Sequence, residues 1–231
     1  MKVLVFNGWA AGPETWELTT FHRDWTFSYI EQMDGLPEKV ADELEGPFLL
    51  VGFSMGGVFA MKFFLRDPSR VKGIVLVSST PRMMEDKATG WKGMSERRLE
   101  AFRYGTQLVF KGDPSPVYDP QMMDRGLEHL VDTDLRAPLE EYRRLTAQHP
   151  DAPVPAVSIV HSERDGIVRP HNVEFFKSIF PQAEVTFVPG AEHVIPITAP
   201  DAVDQAVAGC LAGLRRNATA RPESAPYPAM T

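Results

Sequence analysis

The sequence predicts an α/β fold: a mostly parallel sheet of about six strands, flanked by helices, with a helical lid inserted. Three observations support it. Short apolar runs recur without polar alternation, which suits strands buried on both faces. Stretches of helical period separate most of these runs, and strands alternating with helices give a parallel sheet with right-handed crossovers. Gly, Pro and Ser close nearly every run, as turns at strand ends require.

Residues 2–6 form the first strand and end in Asn7-Gly8-Trp9-Ala10-Ala11-Gly12-Pro13. A second strand is expected at 25–30. A helix is expected at 36–44, with Pro37 in its first turn and Gly46-Pro47 stopping it. The next strand is 48–53, and the amphipathic segment 58–65 behind it reads as a helix ending near Arg66-Asp67-Pro68. Residues 73–77 form another apolar strand, closed by Ser78-Ser79-Thr80-Pro81.

Residues 81–152 break the rhythm. They are rich in Met, charge and Pro, with helical patches near 96–110 and 120–131. A long insertion between regular strands commonly serves as an active-site lid. Alternation then resumes with a strand at 156–160, a helix at 170–180, a strand at 184–188 and a last helix at 201–214. The expected division is therefore one domain over 1–214, with its core in 1–80 and 153–214 and its helical lid in 81–152. A tail at 215–231, made of Arg, Ala, Pro and Ser without periodicity, is expected to be disordered.

A chain of 231 residues with this alternation fits one domain and buries enough surface to need no covalent staples. Its single cysteine, Cys210, has no internal partner, and no apolar run approaches the length of a membrane span. The first apolar run is too short for a secretory signal. Cytoplasmic placement is expected. The net charge of −7 argues against nonspecific binding to nucleic acid or anionic membrane. No Cys/His spacing suggests a metal, and no cofactor is expected. The oligomeric state is left open.

The candidate chemistry centres on Gly52-Phe53-Ser54-Met55-Gly56-Gly57, between the strand at 48–53 and the helix behind it. G-x-S-x-G at a strand-to-helix turn is a nucleophile elbow, which exposes the serine hydroxyl and needs small residues on either side. Taken alone, the pattern also describes a Gly-rich turn. Two further strand ends tell the readings apart, because open α/β sheets bind ligands beyond the carboxyl ends of their strands. Asp165 follows the strand at 156–160, and His193 follows the strand at 184–188. The order Ser…Asp…His is the one this elbow requires. Ser54 is thus the expected nucleophile, His193 its base and acid, and Asp165 the group that orients His193. Glu163 and Glu192 are runner-up acids. His161 reads as structural or pocket-lining, and His22, His129, His149 and His171 as solvated or packing residues. The oxyanion hole is expected to use the backbone N–H groups of Met55 and Trp9.

With these residues, and with Gly126-Leu127-Glu128-His129-Leu130 and Asp134-Leu135-Arg136-Ala137-Pro138-Leu139, the chain resembles the α/β-hydrolases. Within them it is similar to the pimeloyl-[acyl-carrier protein] methyl ester esterases of biotin synthesis. The resemblance implies a serine carboxylesterase cleaving a methyl ester from a pimeloyl chain on acyl-carrier protein, with arginines of the lid meeting that acidic partner. Arg97, Arg98 and Arg103 are candidates for that role, and the same three also read as a solvated helix face. Met83, Met84, Met94, Phe102, Tyr104, Met122 and Met123 read as lid packing or as acyl-pocket lining. Asn7 departs from the pattern, standing where the superfamily usually has His before Gly. The alternatives are hydrolysis of small esters, lactones or thioesters, and a ligand-binding relative without catalysis.

Overall fold

The structure is a computed structural model that describes residues 1–8, 13–21, 44–82, 133–149 and 152–220. The expected strand at 25–30, most of the expected helix at 36–44 and the helical patches at 96–110 and 120–131 lie outside these residues.

Five strands form the sheet: β1 (Lys2–Phe6), β2 (Phe48–Phe53), β3 (Val71–Val77), β4 (Ala156–Ser162) and β5 (Glu184–Val188). They run parallel in the order β1-β2-β3-β4-β5. Phe6 pairs Gly52, Phe53 pairs Val77, Val77 pairs Val160 and Ser162 pairs Val188, so the carboxyl ends lie along one edge. β4 runs two residues past its expected end. His161 and Ser162 are polar, yet they pair with Phe187 and Val188, and ladder pairing outweighs composition there.

Both faces of β1 to β4 are buried, which explains their largely unbroken apolar runs, whereas every residue of β5, last in the strand order, is exposed or half-buried. On one face, Leu4, Leu50, Ile74, Leu76 and Ile159 pack against α1 (Met55–Arg66), α2 (Arg136–Gln148) and α3 (His171–Ile179). On the other, Val5, Val51, Val75 and Val160 pack against Trp16, the single-turn α4 (Ile195–Thr198) and α5 (Pro200–Ala220). Burying one such side chain contributes roughly 1.5–3 kcal/mol.

Two findings revise the expected division. α2 falls inside the stretch read as lid, yet Leu139 and Tyr142 are buried in the core, with the Tyr142 ring 4.8 Å from Phe64 and 6.0 Å from Phe180. The stretch read as lid thus supplies a core helix. α5 continues past Leu214 to Ala220, into the segment expected to be disordered. Adding a residue to an existing helix gains a hydrogen bond and avoids the cost of nucleation, so the helix outlasts its apolar pattern.

Arg82 and Asp134 form an antiparallel bridge. The Leu135 N–H donates to Pro81 O at 3.0 Å. The Arg136 guanidinium grips the Asp134 carboxylate at 2.7–3.2 Å, and this bond holds Asp134 down to about 2.

Candidate active site

Ser54 follows the last residue of β2 and has φ 53° and ψ −121°. This left-handed conformation costs a non-glycine residue on the order of 1–3 kcal/mol. The surroundings hold it there. Ser54 N–H donates to Val77 O at 2.8 Å, and Ser54 O accepts from Gly57 N–H at 3.0 Å and from the Ser79 hydroxyl at 2.9 Å. The neighbouring glycines are needed for space. A Cβ on Gly56 would stand 2.0 Å from Phe6 O, and one on Gly52 would stand 2.5 Å from the Gly57 Cα. Met55 opens α1, so its N–H is one of those a helix start leaves without an intrahelical partner.

The structure brings Ser54, His193 and Asp165 together. Ser54 Oγ lies 2.9 Å from His193 Nε2, and His193 Nδ1 lies 2.8 Å from Asp165 Oδ2. A carboxylate only accepts, so Nδ1 carries the proton and Nε2 is free to accept from the serine hydroxyl. Both His193 and Asp165 are 5% exposed. Asp165 Oδ1 accepts from the N–H groups of Ile167 (2.9 Å) and Val168 (2.8 Å). Burial pushes the Asp165 carboxyl up, but the bond and charge of His193 and the two amides outweigh it. The net result lies below the ordinary carboxylate value. A hydroxyl bonded to an imidazole that is steadied by an ionised carboxylate is arranged to lose its proton to that imidazole.

The runner-up acids Glu163 and Glu192 are exposed, as are His149 and His171. Trp9, His22, His129, the three lid arginines and the lid's Met, Phe and Tyr candidates lie outside the described residues. His161 is fully buried, and its ring donates through Nε2–H to Val168 O at 2.9 Å. It braces the turn whose amides hold Asp165, so its role is structural. Burial is the main cause that keeps its pKa below the ordinary value.

Two serines escaped the sequence reading. Ser162 donates to Ala191 O and accepts from Arg164 N–H at 3.1 Å, joining the Asp165 loop to the His193 loop. Ser79 supports the carbonyl of Ser54. Ser162 ends β4 and Ser79 lies two residues past β3, and that position at the carboxyl edge is the signal that marks them.

Among the described residues, no helix is long and apolar enough to cross a membrane. A model of the alpha/beta hydrolase family matches residues 3–206. The chain is 26% identical over 195 residues to a pimeloyl-[acyl-carrier protein] methyl ester esterase of Nitrosospira multiformis, spanning 73% of this chain and 70% of that one. It is 24% identical to the protein of the same name from Nitrosomonas europaea, spanning 74% of each. Among solved structures, a hydrolase from Pseudomonas aeruginosa superposes with TM-score 0.65 at 17% identity over 90% of this chain and 89% of that one. A thermophilic esterase superposes with TM-score 0.64 at 20% identity over 92% and 90%. Parallel sheet, elbow and family match agree, and the chain belongs to the alpha/beta hydrolase family.

Proposed function

We propose that the protein is a serine carboxylesterase working through an acyl-enzyme. The observation that supports it is the Ser54–His193–Asp165 hydrogen-bonded chain, at 2.9 and 2.8 Å, on the carboxyl edge of the sheet. In this scheme Ser54 Oγ attacks the ester carbonyl while its proton passes to His193 Nε2. Asp165 steadies the imidazolium. The N–H groups of Met55 and Trp9 bind the oxyanion, a donor of this kind being worth about 3–4 kcal/mol elsewhere. His193 then gives its proton to the departing alcohol. Water, deprotonated by His193, cleaves the acyl-serine ester and restores Ser54. The scheme needs no metal or cofactor.

The proposed substrate is a pimeloyl methyl ester carried on acyl-carrier protein. Its support is the shared name of the two relatives, each about a quarter identical to this chain. A second reading, hydrolysis of small free esters, draws on the charge of −7, which repels an acidic carrier.

The test is loss of the methyl group from methyl pimeloyl-carrier protein, followed by intact mass, beside free p-nitrophenyl esters. Ser54→Ala is expected to lower turnover of either by about 10⁵-fold or more. Turnover of the free esters alone would remove the carrier-bound substrate and leave the esterase. Turnover of neither would remove both.

A further inference from the structure

A buried polar pair stands beside the elbow and has no part in the scheme above. Trp16 Nε1–H donates to Asn7 Oδ1 at 2.6 Å, and the two residues are 0% and 1% exposed. An indole nitrogen only donates, so the amide must turn its oxygen toward it.

The surroundings of the pair lead to Ser54. Asn7 follows β1, and its carbonyl closes on the first turn of α1, where a Cβ on Gly56 would come within 2.5 Å of it. The next residue, Gly8, lies against the nucleophile. A Cβ there would stand 2.7 Å from the Phe53 ring and 3.3 Å from the Ser54 Cβ. Trp16 meets the same Phe53 edge-on, with ring centres 6.3 Å apart at 89°, and Phe53 lies 5.2 Å from the His193 ring. Asn7 thus lies with its main chain close against α1 and its side chain bonded to Trp16.

We propose that Asn7 is a positioning residue: its bond to Trp16 fixes Gly8, the residue that follows it, against Ser54, and does so independently of pH. The proposal rests on the esterase reading. An amide oxygen accepts at every pH, whereas an imidazole stops accepting once protonated and a carboxylate would bring a charge into a buried site.

Three measurements test it. The chain has four tryptophans, and Trp16→Phe identifies which indole N–H signal belongs to Trp16. That proton is expected to exchange slowly with solvent, and faster in Asn7→Leu. With p-nitrophenyl butyrate, Asn7→Leu is expected to lose about 10- to 100-fold in kcat with KM within about twofold, as a misplaced Gly8 would cause. Asn7→His is expected to recover kcat at alkaline pH and to add a second acid limb absent from the wild type, as the imidazole protonates.

Should Asn7→Leu fail to fold, Trp16→Phe keeps an aromatic ring and removes the donor, and the same kcat loss is expected. An active wild type whose variants keep kcat, or an Asn7→His profile with the wild-type acid limb, overturns the proposal alone. A wild type inert to every ester overturns the esterase reading and the proposal with it.

Discussion

At the elbow, Ser54 occupies a strained backbone conformation, and main-chain atoms press close on the flanking Gly52 and Gly56. At the ends of β4 and β5, neither Asp165 nor His193 has a positive φ; the two are bonded to each other, and Asp165 also accepts from the amides of Ile167 and Val168. Ser54 is placed largely by lack of room, and Asp165 and His193 by electrostatics. The first kind of placement tolerates no added atom. The second tolerates a change of shape but not a change of charge or donor.

After Ser54→Ala, the largest break should come from Asp165→Asn. The amide oxygen can still accept from Ile167 and Val168, but its NH₂ cannot steady the imidazolium. We expect kcat to fall by about 10⁴-fold, the size seen for this change in another serine hydrolase, with circular dichroism unchanged. Gly56→Ala reverses the pattern. Its new methyl meets the main chain at Phe6 O, and we expect a loss of about 3 kcal/mol in urea unfolding, with activity falling as structure is lost. If Gly56→Ala were as stable as wild type, sterics would not be what fixes the elbow.

The smallest effect sharpens the electrostatic side. Burial keeps the pKa of His161 below its ordinary value, so the unfolded chain binds that proton more readily than the folded one. Stability from this group is therefore full above the unfolded value of about 6.5 and is lost as pH falls below it. His161→Gln keeps an N–H to offer Val168 O and removes the titration. Its Tm should fall less on acidification than the wild-type Tm. Each 1 kcal/mol of difference would show as about 2–4 °C. Parallel Tm curves would refute the assignment.

Much of this was legible before any coordinates. β1, β2 and β3 are apolar runs because each lies between two covered faces, and a side chain that matters to chemistry must then sit just past a strand end. That restriction made Ser54, Asp165 and His193 stand out. Other parts depend on contacts that no local pattern encodes. The Asn7–Trp16 bond joins residues nine apart through two rotamers, and Ser162 donates to a carbonyl that only the adjacency of β4 and β5 brings near. α2 was read as lid because it buries a narrow stripe, Leu139 and Tyr142, against a helix far away in sequence. The last turns of α5 carry no apolar period and follow from propagation of the helix before them.

The bridge between Arg82 and Asp134 has a consequence for how such enzymes diversify. Whatever length of chain connects these residues begins and ends at a single doorway, pinned by the Pro81–Leu135 bond and the Asp134–Arg136 clasp. The entropy of closing a loop grows only slowly with its length, so the doorway is nearly indifferent to what is hung from it. The sheet and its serine work as a socket. The segment plugged in there is free to be lengthened, trimmed or exchanged without renegotiating the terms on which the core folds.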